Sequence, residues 1–256
     1  MTNHLLLLPP LVLLGVLILG AVASSEIGYH IGRAVGPKDE AFDKQLGIVR
    51  GATFAIVAFL LGFAFSGASF RYVDRMDVIV KEANALGTAW LRADLLPEPA
   101  RTELRSALRD YTADRVALLQ EKDLQPIMER LAKVGGYQAR MWRATLEGTR
   151  DNPQLMLLLM PPVNEVIDLH TTHLAAAMRH LPTAIFIALL ASACLSLVLA
   201  AFGHGQIGRR FLGLDLLYGL VLAASLWMTI DLEYPRYGLI RSNVTPLVET
   251  LAGMKS

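Results

Sequence analysis

A lone cysteine, Cys194, is the only thiol in the chain, so no internal disulfide can form, and its place inside an apolar run suits a small packing residue. Lysine and arginine are absent ahead of Arg33. The first apolar run ends in Ala21, Val22 and Ala23, which has the small-x-small look of a cleavage site. It nevertheless lacks the cationic flank of a secretory signal and is longer than such a signal's apolar stretch, so a membrane span is favoured over a cleaved leader. No run alternates apolar and polar residues as a half-buried strand would. Nowhere does the sequence pair a nucleophile with a base, offer a phosphate-cradling glycine loop or gather metal ligands, so no catalytic residue, metal or cofactor is expected. His170 and His173 lie near Glu165 and Asp168, but a lone HxxH fits helix packing or a solvated face better than a metal site.

What the chain has is apolar length. It is 54% hydrophobic with a mean hydropathy of +0.42, and the apolar residues gather in four runs, 5–23, 51–70, 183–202 and 212–230. A bilayer-spanning helix needs roughly 20 such residues. The expectation is an all-α integral membrane protein with four transmembrane helices and a helical extramembrane domain inserted between the second and third spans. The segments are spans one and two over 1–70, the helical domain over 71–180, spans three and four over 181–232, and a tail over 233–256.

The insert carries 15 Lys/Arg and 15 Asp/Glu. This balance gives no basic face for nucleic acid. Apolar residues recur there at helical spacing: Val73, Met76, Val80 and Ala83; Leu104, Leu108, Tyr111 and Leu119; Leu124, Ile127, Leu131 and Val134. Pro97 to Pro99 separates two helices, Gly135 and Gly136 break or kink another, and residues 150–153 make a turn. The apolar stretch before Pro161 and Pro162 is too short to span, and a last helix is expected over 163–180.

The second span holds the sharpest pattern. Phe59, Phe63, Ser66 and Phe70 fall on one helical side, with Gly62, Ala64, Gly67 and Ala68 leaving little bulk elsewhere. Phenylalanines in a span commonly face lipid or fill a bundle. Alternatively, a ring of them contributed by several subunits forms an apolar constriction whose electropositive ring edges tolerate anions. Arg71 and Arg75, one turn apart past the span end, either draw anions to a pore mouth or anchor at headgroups and pair with nearby acids. Asp215, one turn into the fourth span, is an intramembrane acid beside Arg209 and Arg210 and near a helix start, which favours a structural role. Glu26 follows the first span with no partner evident.

Several stretches, taken in order, resemble a bacterial bestrophin-like membrane protein family. These are ExGYxxGR at 26–33, FLLGFAFSGASFRYVDR at 59–75, EANALGTAWLRADLLP at 82–97, NEVID at 164–168 and DLEYPRYGLIR at 231–241. The second span also resembles the neck helix of bestrophin anion channels. The resemblance implies a homo-oligomer, pentameric as in bestrophins, that sits in the lipid bilayer and passes small anions such as chloride. Phe59 and Phe63 would take two aromatic neck positions, while Ala55 stands at the third. No counterpart of the calcium-binding acids of animal bestrophins is carried over. Lysines and arginines flank the spans almost equally on both sides, so orientation follows the resemblance alone: a bacterial inner membrane, with the helical domain and both termini cytoplasmic. The competing expectation is a non-conducting scaffold or sensor whose helical domain binds a partner or ligand.

Overall fold

The structure is a computed structural model that describes residues 9–255; of the first apolar run, Leu5 to Leu8 lie outside the described residues. Every regular element among the described residues is helical: α1 (Pro10–Val35), α2 (Glu40–Arg92), α3 (Ala100–Gln120), α4 (Leu124–Thr149), α5 (Pro153–Met178), α6 (Thr183–Gln206), α7 (Leu212–Glu233) and α8 (Thr245–Gly253), with one 3-10 turn at Ala93–Leu95. Four helices are long and apolar enough to cross a membrane. The chain forms two compact units, Met1–Tyr72 with His180–Ile240, and Val73–Arg179 with Arg241–Ser256.

In the first unit, α1 starts with Pro10 in its first turn, where the missing N–H has no intrahelical partner to lose. It runs past the expected span to Gly36, whose φ of 69° suits only glycine. Gly28 and Gly32, a G-x-x-x-G pair, lie directly on the backbone of Val198 and Phe202 in α6, and Gly205 of α6 lies on the carbonyl of Tyr29. Lipid supplies no hydrophobic drive between helices, so this close backbone approach holds the pair through dispersion. Gly203 and Gly205 lie within α6, where Arg50 and α1 leave no room for a side chain. The inward side of α2 presents Val57 and Ala64 to Leu189, Leu197, Leu222 and Leu226, and Phe54 tilts against Tyr218 with ring centroids 5.1 Å apart.

The end of α7 explains the 231–241 motif. Asp231 accepts hydrogen bonds from the backbone N–H groups of Leu239 (2.9 Å) and Ile240 (2.8 Å). Gly238 leaves space for that carboxylate, which a Cβ would strike.

The second unit buries Ile79, Leu86, Leu104, Leu108, Tyr111, Met141 and Leu159 together with Leu247 and Met254 around α8. Helix α4 passes through Gly135 and Gly136 unbroken. Helix α5 starts at Pro153, capped by the Asn152 side chain accepting from Gln154 N–H at 3.1 Å, and continues through Pro161 and Pro162 rather than restarting after them. Each internal proline removes a donor to the carbonyl four residues back. For Pro162 that carbonyl belongs to Leu158, and Arg92 Nη1 donates to it at 2.6 Å.

Candidate functional site

Helix α2 is 53 residues long, about 80 Å at 1.5 Å per residue, so only part of it lies in a hydrocarbon layer of roughly 30 Å. Within 51–70 its outer side carries Phe59, Phe63 and Phe70, which are 66%, 73% and 71% exposed, with Ser66 exposed between them. Phe59 and Phe63 touch each other, with centroids 5.6 Å apart. The four predicted residues thus share one exposed face of α2. Ala55 and Ile56 continue that face one turn earlier.

The two predicted arginines are engaged elsewhere. Arg71 grips Glu233 through Nε, 2.7 Å from Oε1, and through Nη2. The same carboxylate lies 3.5 Å from His180 Nδ1 and accepts from Leu181 N–H at 3.3 Å. This cluster ties the exit of the second span to the entry of the third and the end of the fourth. Arg75, in the second unit, is 6% exposed and donates to the carbonyls of Ala176 (3.2 Å) and Arg179 (2.7 Å). It therefore caps the C-terminal end of α5, where a cation complements the helix dipole.

A buried polar cluster occupies the centre of the second unit. Glu82, fully buried, accepts from Tyr111 Oη (2.7 Å), Arg115 Nε (2.7 Å) and Arg115 Nη2 (2.8 Å). His173 Nδ1 stands 3.5 Å from its second oxygen, at the long edge of hydrogen-bonding reach, and His170 meets the Tyr111 ring edge-on. Burial disfavours the Glu82 charge, but His173, Arg115 and Tyr111 outweigh that cost and hold the carboxyl well below its ordinary range. Burial, followed by the Arg115 charge, lowers His170. Both histidines are buried within the second unit. Among the described residues, no group of three or more His, Cys, Asp or Glu could hold a metal.

The sequence carried a signal for this cluster: Glu82 has the same helical phase as the buried Ile79, Leu86, Ala89 and Ala93. No such signal exists for Glu26, whose partner Arg210 lies 184 positions away. Asp215, adjacent to that pair, bonds His204 Nδ1 at 3.0 Å, the structural role its position suggested.

The fold and its exposed aromatic span define a class: an all-α membrane protein of four spans with a helical extramembrane unit. The Bestrophin-like domain matches residues 16–247, and the chain belongs to the bestrophin-like family. Solved structures agree on the fold. A point variant of a bacterial bestrophin homolog from Klebsiella pneumoniae is 16% identical, with a TM-score of 0.66 over 93% of this chain and 97% of that one. Another variant of the Klebsiella pneumoniae homolog is 18% identical, at 0.63 over 95% and 94%. A structure described as a membrane protein is 15% identical, at 0.67 over 93% and 95%. No curated protein matches the sequence.

Proposed function

We propose that this chain is the subunit of a homo-oligomeric channel for small anions such as chloride, with α2 lining the pore. One observation carries the reading: Phe59, Phe63, Ser66 and Phe70 form a single exposed face on the span whose apolar window is the least buried of the four. Phenyl rings around a shared axis would make a dry constriction, and their positive edges would meet the anion where its hydration is stripped. Ser66 adds a hydroxyl donor one turn beyond Phe63. A pentamer is the assembly that the family likeness favours, in an inner membrane with the helical unit and termini cytoplasmic. Arg71 and Arg75 enter this reading as struts of the span exit rather than as anion guides, because Glu233 and the carbonyls of α5 occupy their guanidinium groups.

Halide efflux from liposomes tests it. Wild-type protein should release chloride, and Phe59→Ala and Phe63→Ala should change the rate or the selectivity. Folded, inserted protein that passes no halide across varied pH and potential would overturn the reading and leave a non-conducting scaffold in its place.

A further inference from the structure

A groove lies in the first unit between α1 and α7, with no residue of α2 in its lining. Its cavity of about 190 Å³ is walled by Ile18, Val22, Leu212, Leu216 and Leu220. At one end the lining becomes polar: Ser25, Glu26, Tyr29, Arg210 and Asp215 converge there. From Ile18 to Tyr29 the groove follows α1 for roughly 16 Å. An apolar slot ending in a charged mouth at the edge of a span is complementary to one leaflet's lipid, with its chain in the slot and its headgroup at the mouth.

The charges specify the headgroup. Arg210 is the cation in the lining, against two carboxylates. It pairs with Glu26 while its guanidinium lies over the Tyr29 ring, 4.4 Å from the centroid. Asp215 is held by His204. Each carboxylate has about four acceptor positions, so both keep room for another donor. A headgroup with only negative charge meets Arg210 but is repelled by Glu26 and Asp215. A quaternary ammonium has no N–H to donate, and the aromatic face that would otherwise attract it is covered by Arg210. A primary ammonium can donate to Glu26 and Asp215 while the adjoining phosphate reaches Arg210.

We infer that the groove between α1 and α7 is a binding site for a phospholipid with a primary-amine headgroup, a phosphatidylethanolamine. The site does not depend on conduction, and its occupancy is read without any flux measurement. Native mass spectrometry of the full chain, offered equal amounts of dioleoyl phosphatidylethanolamine, phosphatidylcholine and phosphatidylglycerol, measures the lipid retained. Ethanolamine lipid should exceed choline lipid by about tenfold, the worth of one charge-assisted hydrogen bond. Glu26→Gln should bring it down toward the choline level. Val22→Trp, which fills the slot and spares the mouth, should reduce all lipids alike. Equal retention of the three by the wild-type chain, or preference for the glycerol lipid, overturns the assignment without recourse to a variant. An unchanged ethanolamine preference in folded Glu26→Gln does the same.

Discussion

Glu82 shows how much a single side chain can hold in place. Its carboxylate draws together Tyr111 and Arg115 of α3 and His173 of α5 around α2, all within the second unit. A buried ion pair is weak evidence for stability as a whole, but breaking one side leaves an uncompensated buried charge. Glu82→Gln should cost about 3–5 kcal/mol in unfolding experiments, because Arg115 is then buried with a neutral neighbour. Tyr111→Phe removes one hydrogen bond and should cost about 1–3 kcal/mol, since a fully buried oxygen loses one donor. A Glu82→Gln protein that melts like wild type would mean that the cluster relaxes into water.

The same residues set the response to pH. His170 is lowered from its ordinary 6.5 by burial and by Arg115, so the unfolded chain binds the extra proton first and stability falls as pH drops below about 6.5. Glu82 is lowered from its ordinary 4.5, so its contribution is present above 4.5 and falls away below it. Both act in the same direction, on different steps. Tyr111 and Arg115, which also face the pair, are both raised from values already far above this range. The thermal midpoint should therefore drop between pH 7.5 and pH 5, and His170→Phe should flatten that first step while leaving the acid step below 4.5. An unchanged first step in His170→Phe would assign it to another group.

At the scale of the element, the glycines of α1 separate packing from propensity. Gly28 and Gly32 face the α6 backbone with no room for a methyl, whereas Gly15 of the same helix has open space around it. Gly32→Ala should lower the thermal midpoint of detergent-solubilised protein, overpacking costing about 1–3 kcal/mol. Gly15→Ala should be neutral or slightly stabilising. Equal effects at the two positions would mean that backbone approach does not hold α1 against α6. That the chain has four spans was legible from apolar run length alone, because hydrocarbon thickness sets the length a span needs. The passage of α5 through two prolines was not legible. The donor that satisfies the freed Leu158 carbonyl is Arg92, which is 66 positions earlier, and local sequence rules see only the missing N–H. The grouping of Phe59, Phe63, Ser66 and Phe70 could be read from the helical period; that Arg71 belongs to Glu233 could not, since that contact spans 162 positions.

For the whole molecule, the decisive question is what covers the aromatic face of α2. Phenylalanines on the outside of a span would be ordinary if lipid met them, and so would the outward Ile185 and Leu217 of α6 and α7. The proposed channel distinguishes these surfaces: Phe63 should face its equivalents in neighbouring subunits across a narrow axis, while Leu217 should face acyl chains. Cysteine cross-linking in membranes can separate them, after Cys194→Ala removes the native thiol. Phe63→Cys should give disulfide-linked dimers on mild oxidation, because sulfurs bond only when the two Cα atoms come within about 7 Å. Leu217→Cys should remain monomeric under the same treatment. Equal yields at both positions would show collision rather than assembly. Dimers from Leu217→Cys alone would place the shared surface on α7, leave the phenyl rings to lipid and remove the ground for a pore along α2.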